Sequence, residues 1–108
     1  MNMNPLIKIP SKATLKKYGL SEQDYLDILK RQGEVCPVCG QFPSTGRFYI
    51  DHYHQRHYKI LPDNLKRLYV RGLLCYMCNR FYVAKGITID KSRNVTKYLE
   101  DFEKRRPK

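Results

Sequence analysis

The stretch Val70-Arg71-Gly72-Leu73-Leu74-Cys75-Tyr76-Met77-Cys78-Asn79 runs from an apolar strand pattern through a C-x-x-C turn to an amide side chain. Upstream lies a second C-x-x-C pair, Cys36 and Cys39, and between the two pairs sits Asp51-His52-Tyr53-His54. A C-x-x-C turn can present two thiolates to one tetrahedral ion, and four thiolates make a closed structural zinc site with no open position for chemistry. Any catalysis therefore falls to the acid, imidazole and amide groups that the pairs enclose or adjoin.

The 35 residues between Cys39 and Cys75 exceed the roughly 15 to 20 of a simple two-knuckle zinc ribbon. A substantial element has to be inserted there. Residues 47–54 are rich in β-branched and aromatic types, with Phe48, Ile50, His52 and His54 on one parity and Tyr49, Asp51 and Tyr53 on the other, which predicts a strand. Residues 68–74 predict a second strand returning toward the zinc. Residues 55–67 are too long for a tight hairpin turn and carry Arg56, His57, Lys59, Lys66 and Arg67, which reads as a substrate-contacting loop. Asp51 and His52, as neighbours, point to opposite faces of a regular strand, so the strand must end, twist or bulge there if both serve one site.

Helices are expected on either side. Residues 11–18 form a short basic one closed by Gly19; Ser21, with Asp24 three positions on, caps a second whose face is Tyr25, Ile28, Leu29 and Gln32 and which ends at Gly33. These two should pack as a lid on the core. Residues 75 to about 85 predict a helix with Cys78 and Asn79 in its first turn and Gly86 as its stop. Val95, Tyr98, Leu99 and Phe102 mark a last helix, capped by Ser92 or Asp90 and followed by the basic tail 104–108. The division expected is a flexible N-terminus over 1–10, one domain over 11–103 and the tail.

The 108 residues suit one small domain that benefits from a metal staple. Lys and Arg number 21 against 10 Asp and Glu, a net charge of +11 that points to nucleic acid or an acidic membrane surface, and the 9 Tyr and 4 Phe mixed among them favour polyanion binding over a merely solubilising surface. No run is apolar enough for a signal peptide or a membrane span, so a soluble, intracellular protein without a membrane partner is expected. In a reducing compartment, paired C-x-x-C motifs favour metal over disulfides.

Ile50-Asp51-His52-Tyr53-His54 followed by Arg71-Gly72-Leu73-Leu74-Cys75-Tyr76-Met77-Cys78-Asn79, with Lys17-Tyr18-Gly19-Leu20 and Cys36-Pro37-Val38-Cys39-Gly40 upstream, resembles the phage recombination endonuclease VII family of HNH, or His-Me finger, nucleases. The resemblance implies an α+β, ββα-metal fold and DNA, double-stranded or branched, as substrate. It implies His52 as general base, Asp51 and Asn79 as holders of one Mg²⁺ or Mn²⁺, and phage-encoded action in a host cytoplasm. His54 either orients His52 or the phosphate or has a structural role. Arg56, Lys59, Lys66, Arg67 and Arg71 are expected on DNA phosphates. Two departures stand out: Tyr82 occupies the place where some relatives carry an acid, and only one helix and a tail remain where the junction-resolving member builds an intertwined dimer. Cleavage of a phosphodiester is thus better supported than branch resolution, and monomer or homodimer stays open. The alternative is a zinc-dependent DNA-binding module that does not cut.

Overall fold

In a computed structural model, residues 6–83, 86–105 and 107 are described. Helices α1 (Lys12–Lys17) and α2 (Glu22–Arg31) precede a two-stranded antiparallel sheet of β1 (Tyr49–His52) and β2 (Val70–Leu74). A short helix α3 (Asp63–Lys66) lies between the strands, and a π-helix (Cys78–Val83) and a long helix α4 (Ile89–Arg105) follow β2. The chain is thus a mixed helical and two-stranded α+β protein. No helix among the described residues is long and apolar enough to cross a membrane.

Local chemistry sets both N-terminal helices. The Ser11 hydroxyl accepts from the Thr14 N–H, and Ser21 and Asp24 form a reciprocal capping box, each satisfying a backbone donor that the first turn leaves open. Leu15, Leu20, Tyr25 and Leu29 are then buried against Phe48, Ile50 and Leu73, so the two helices cover the sheet as expected. Ile7 and Ile9 pack on the same core, and the Lys8 N–H donates to the Gly46 carbonyl. Gly19, at φ +69°, ends α1 in the left-handed region, and a Cβ there would collide with the Asp63 carbonyl oxygen. Glycine therefore does two jobs, turning the chain and letting α3 sit directly on it.

Gln32, the polar member of the α2 face, substitutes for a neighbouring strand. Its Oε1 accepts from the Leu73 N–H at 2.7 Å and its Nε2 donates to the Leu73 carbonyl at 2.9 Å, pairing the outer edge of β2. Gln32→Ala leaves those backbone groups without this partner, and equilibrium urea unfolding should show a loss of about 1–3 kcal/mol. A change under about 0.5 kcal/mol, the size of an ordinary surface substitution, would contradict that role.

The strands are shorter than the predicted 47–54 and 68–74. Arg47 instead bridges to Lys8 in an isolated parallel pair, and Leu68 lies in a 3₁₀ turn at Arg67–Tyr69. The segment 55–67 is more ordered than a loop, with a 3₁₀ turn at Tyr58–Ile60 and then α3. Buried Tyr58 organises it, its hydroxyl donating to the Lys66 carbonyl at 3.3 Å. A sequence window could not see this, because the contacts that bury Tyr58 come from α1 and β1.

Two further differences lie near the C-terminus. The helix expected over 75–85 begins with α-helical residues 76 and 77 and continues as a π-helix over Cys78–Val83, and residues 84 and 85 fall outside the description. Cys78 and Val83 both pack on the Cys36–Leu74 cluster. Residues five apart sit about 140° apart round an α-helix, and the wider π turn brings them to one side. Helix α4 starts before the predicted caps: the Thr88 hydroxyl accepts from the Lys91 N–H, while the Ser92 hydroxyl donates back to the Ile89 carbonyl. Val95, Tyr98, Leu99 and Phe102 do recur at helical spacing, but all are exposed and α4 buries nothing. The radius of gyration is 16.3 Å, against about 13 Å for a compact chain of this length.

Candidate metal centre and active site

The four cysteine sulfurs converge. Cys36, Cys39, Cys75 and Cys78 place their Sγ atoms within 4.8 Å of one another, with Cys39 and Cys75 at 3.8 Å. Thiolates at ~2.3 Å from a tetrahedral zinc are separated by ~3.8 Å, so the donor set fits that ion. The Gly40 N–H donates to the Cys36 carbonyl and the Cys36 N–H to the Gln41 carbonyl, folding the first knuckle; the Asn79 N–H donates to the Cys75 carbonyl, folding the second. Burial acts to raise the Cys36 thiol, but backbone N–H groups of Cys75, Cys39 and Val38 outweigh it and bring it down to about 7, while burial and the neighbouring thiols push Cys78 up. Cys36 and Cys78 are buried with Leu74, which ties the centre to the end of β2.

The strand irregularity expected at Asp51–His52 is a bulge, and it lies in the partner strand. Asp51 lies opposite Gly72 and His52 opposite Val70, which leaves Arg71 as the extra residue facing the gap. Arg71 turns onto Asp51 in a two-pronged pair, Nε to Oδ2 at 2.8 Å and Nη2 to Oδ1 at 2.9 Å. Asp51 is buried, and both its oxygens are engaged. Arg71, expected on DNA, is thus found on the acid.

His52 faces elsewhere. Its ring stacks on His54 at 4.7 Å and 12°, lies 4.4 Å from Tyr58 and leans on Tyr18 at 5.2 Å. Three rings fix its plane. Burial lowers its pKa below the ordinary histidine value, and the charges of His54 and Arg71 act in the same direction against the opposing pull of Asp51. The imidazole is therefore neutral at pH 7 and able to accept a proton.

His52 and His54 open onto a cavity of about 730 Å³ that also gathers Lys17, Tyr18, Arg56, His57, Tyr58, Lys59 and Lys66. Of the five basic residues expected to meet DNA, Arg56, Lys59 and Lys66 are brought to this cavity, while Arg67 is exposed near Asp24 and Arg71 is held by Asp51. Lys17 and Tyr18, at the end of α1 and part of the motif quoted for the resemblance but given no role, and Tyr58, not singled out, complete the cavity. Its place as the lone tyrosine of the basic segment 55–67 was the available signal for Tyr58. Asn79 is half-buried in the wall of an adjacent cavity of about 440 Å³ with Lys8, Arg47, Tyr49 and Ile50, and Tyr18 lines both. Among the described residues no hydrogen bond joins the Asn79 side chain to Asp51 or His52.

The donors expected for a divalent cation, one carboxylate and one amide oxygen, are hard oxygen ligands suited to Mg²⁺ or Mn²⁺. They fit that ion by chemistry, with Arg71 as the competitor for the carboxylate.

No solved structure gives a significant match to the chain. Among curated proteins it is similar to the Gene 59 protein of Mycobacterium phage D29, 34% identical over 68 residues that cover 62% of this chain and 34% of that protein. The chain thus spans about a third of that relative's length. The family model for recombination endonuclease VII matches residues 11–101, which include both cysteine pairs, the bulged hairpin and most of α4. On that match, the chain belongs to the recombination endonuclease VII family.

Proposed function

We propose that this protein is a metal-dependent DNA endonuclease of the His-Me finger type, with zinc as its scaffold and a second, exchangeable cation at its reaction centre. The observation that carries this reading is His52, packed among the rings of His54, Tyr58 and Tyr18 in the lining of a cavity edged with Lys17, Arg56, Lys59 and Lys66. Family membership supports a nuclease, and the phage relative supports a phage origin. The strand–strand–helix order of β1, β2 and the π-helix is compatible with a ββα-metal finger.

In this mechanism the lysines and Arg56 hold the phosphodiester over the cavity. His52 takes a proton from the attacking water; the new P–O bond forms as the bond to the leaving oxygen breaks. Stacking on His54 and Tyr58 orients the imidazole and costs no reorganisation when it acts. Asp51 and Asn79 would hold Mg²⁺ or Mn²⁺, which supplies neutralisation of the charge growing on the phosphate and leaving oxygen.

Phosphate contact at the cavity has a separate signature. Lys59→Ala should weaken duplex binding across sequences and reduce the slope of log K against log salt by about 0.9; an unchanged slope in a salt titration removes Lys59 from the interface.

The competing reading, a zinc-dependent DNA-binding module, accounts equally well for the basic surface and the cysteines but gives no reason for a neutral, ring-clamped His52. Supercoiled plasmid separates the two. Nicked or linear product with Mg²⁺ or Mn²⁺ supports the nuclease; binding without product under either ion supports the module.

A further inference from the structure

Asp51, the carboxylate proposed for a catalytic cation, is closed by the protein's own guanidinium. Arg71 reaches it because the bulge makes Arg71 the unpaired residue of β2. Two charge-assisted bonds of 2.8 and 2.9 Å take both oxygens in a place where the Asp51 side chain is 9% exposed. Arg71 itself is 45% exposed, so its outer surface meets solvent and any incoming anion. A divalent cation arriving at the free protein has to displace this fork. A phosphate offers the guanidinium the same pair of oxygens that the carboxylate does.

We propose that Arg71 is a latch: in the free protein it holds Asp51 closed to divalent cations, and a DNA phosphate draws it away and opens the carboxylate. This rests on Asp51 being a cation ligand of the nuclease proposed above. The latch ties cation loading to the arrival of substrate, and it makes Arg71 a positioning residue that acts through Asp51. A lysine, a single point charge without the planar fork, would hold the carboxylate less firmly.

The test is Mn²⁺ binding to zinc-loaded, DNA-free protein, read by electron paramagnetic resonance of free Mn²⁺. Wild type is compared with Arg71→Met, Asp51→Asn and the double variant, with zinc content and melting temperature checking the fold of each. If Arg71 leaves Asp51 open a tenth of the time or less, Arg71→Met binds Mn²⁺ about tenfold more tightly or better. Adding Asp51→Asn abolishes that gain. Arg71→Lys, which disturbs the hairpin less, shows a smaller gain in the same direction. Unchanged or weaker Mn²⁺ binding in both Arg71 variants, with Asp51→Asn still lowering it, overturns the latch and leaves Asp51 as a ligand. Mn²⁺ binding indifferent to Asp51 in every background removes the ligand role and the latch together.

Discussion

Cys78→Ser should unfold the zinc half of the molecule and take the proposed reaction centre with it. The apolar cluster there consists of Cys36, Leu74 and Cys78, flanked by Cys75 and Val83, so its buried side chains are largely the metal ligands themselves. Structural zinc contributes about 10–16 kcal/mol to small zinc domains, whereas a whole domain is stable by about 5–15 kcal/mol. Losing a ligand therefore removes more than the remaining packing can supply. Cys78 also starts the π-helix that carries Asn79 and anchors the end of β2 through Leu74, so the loss reaches both expected cation ligands. A thermal melt should lose its cooperative transition, and a colorimetric zinc assay should find the metal free in solution. A variant that melts within a few degrees of wild type without zinc would show that the cysteines do not hold the fold.

The second large effect is on rate. His52→Ala should slow single-turnover cleavage by about 10²- to 10⁴-fold, the usual contribution of a general base, which is about 3–5 kcal/mol of barrier at 1.36 kcal/mol per factor of ten. Duplex affinity should stay close to wild type, because Lys17, Arg56, Lys59 and Lys66 still line the cavity. His52 also packs on Tyr58 and Tyr18, so His52→Asn, which retains more of the ring's volume and polarity, serves as a check on packing. A loss of DNA binding equal to the loss of rate would make His52 a contact residue.

Much of this was legible because its causes are local. The capping box at Ser21 and Asp24, the turn at Gly19 and the two knuckles are each decided within a few residues, and the neighbouring Asp51 and His52 call for a strand irregularity if both are to serve one site. The irregularity falls at that place, but its result was hidden. Which residue a bulge ejects depends on cross-strand register, and register placed Arg71 on Asp51. Tyr58 and Gln32 were hidden for the same reason: one gains its importance from rings on α1 and β1, the other from the backbone of β2. The π-helix follows from Cys78 and Val83 sharing one cluster, a tertiary demand that no helix-propensity pattern carries. The apolar spacing in α4 correctly indicated a helix and said nothing about burial, and its face is exposed.

The separation of a structural metal from a cutting metal is tested most directly by following zinc content and plasmid cleavage in the same sample. Protein carrying one zinc per chain, freed of other divalent ions, should leave supercoiled DNA intact. Adding Mg²⁺ or Mn²⁺ should start cleavage while the zinc content stays at one. Cleavage at full rate by the zinc-loaded protein before any second ion is added, or none with either ion, would contradict it.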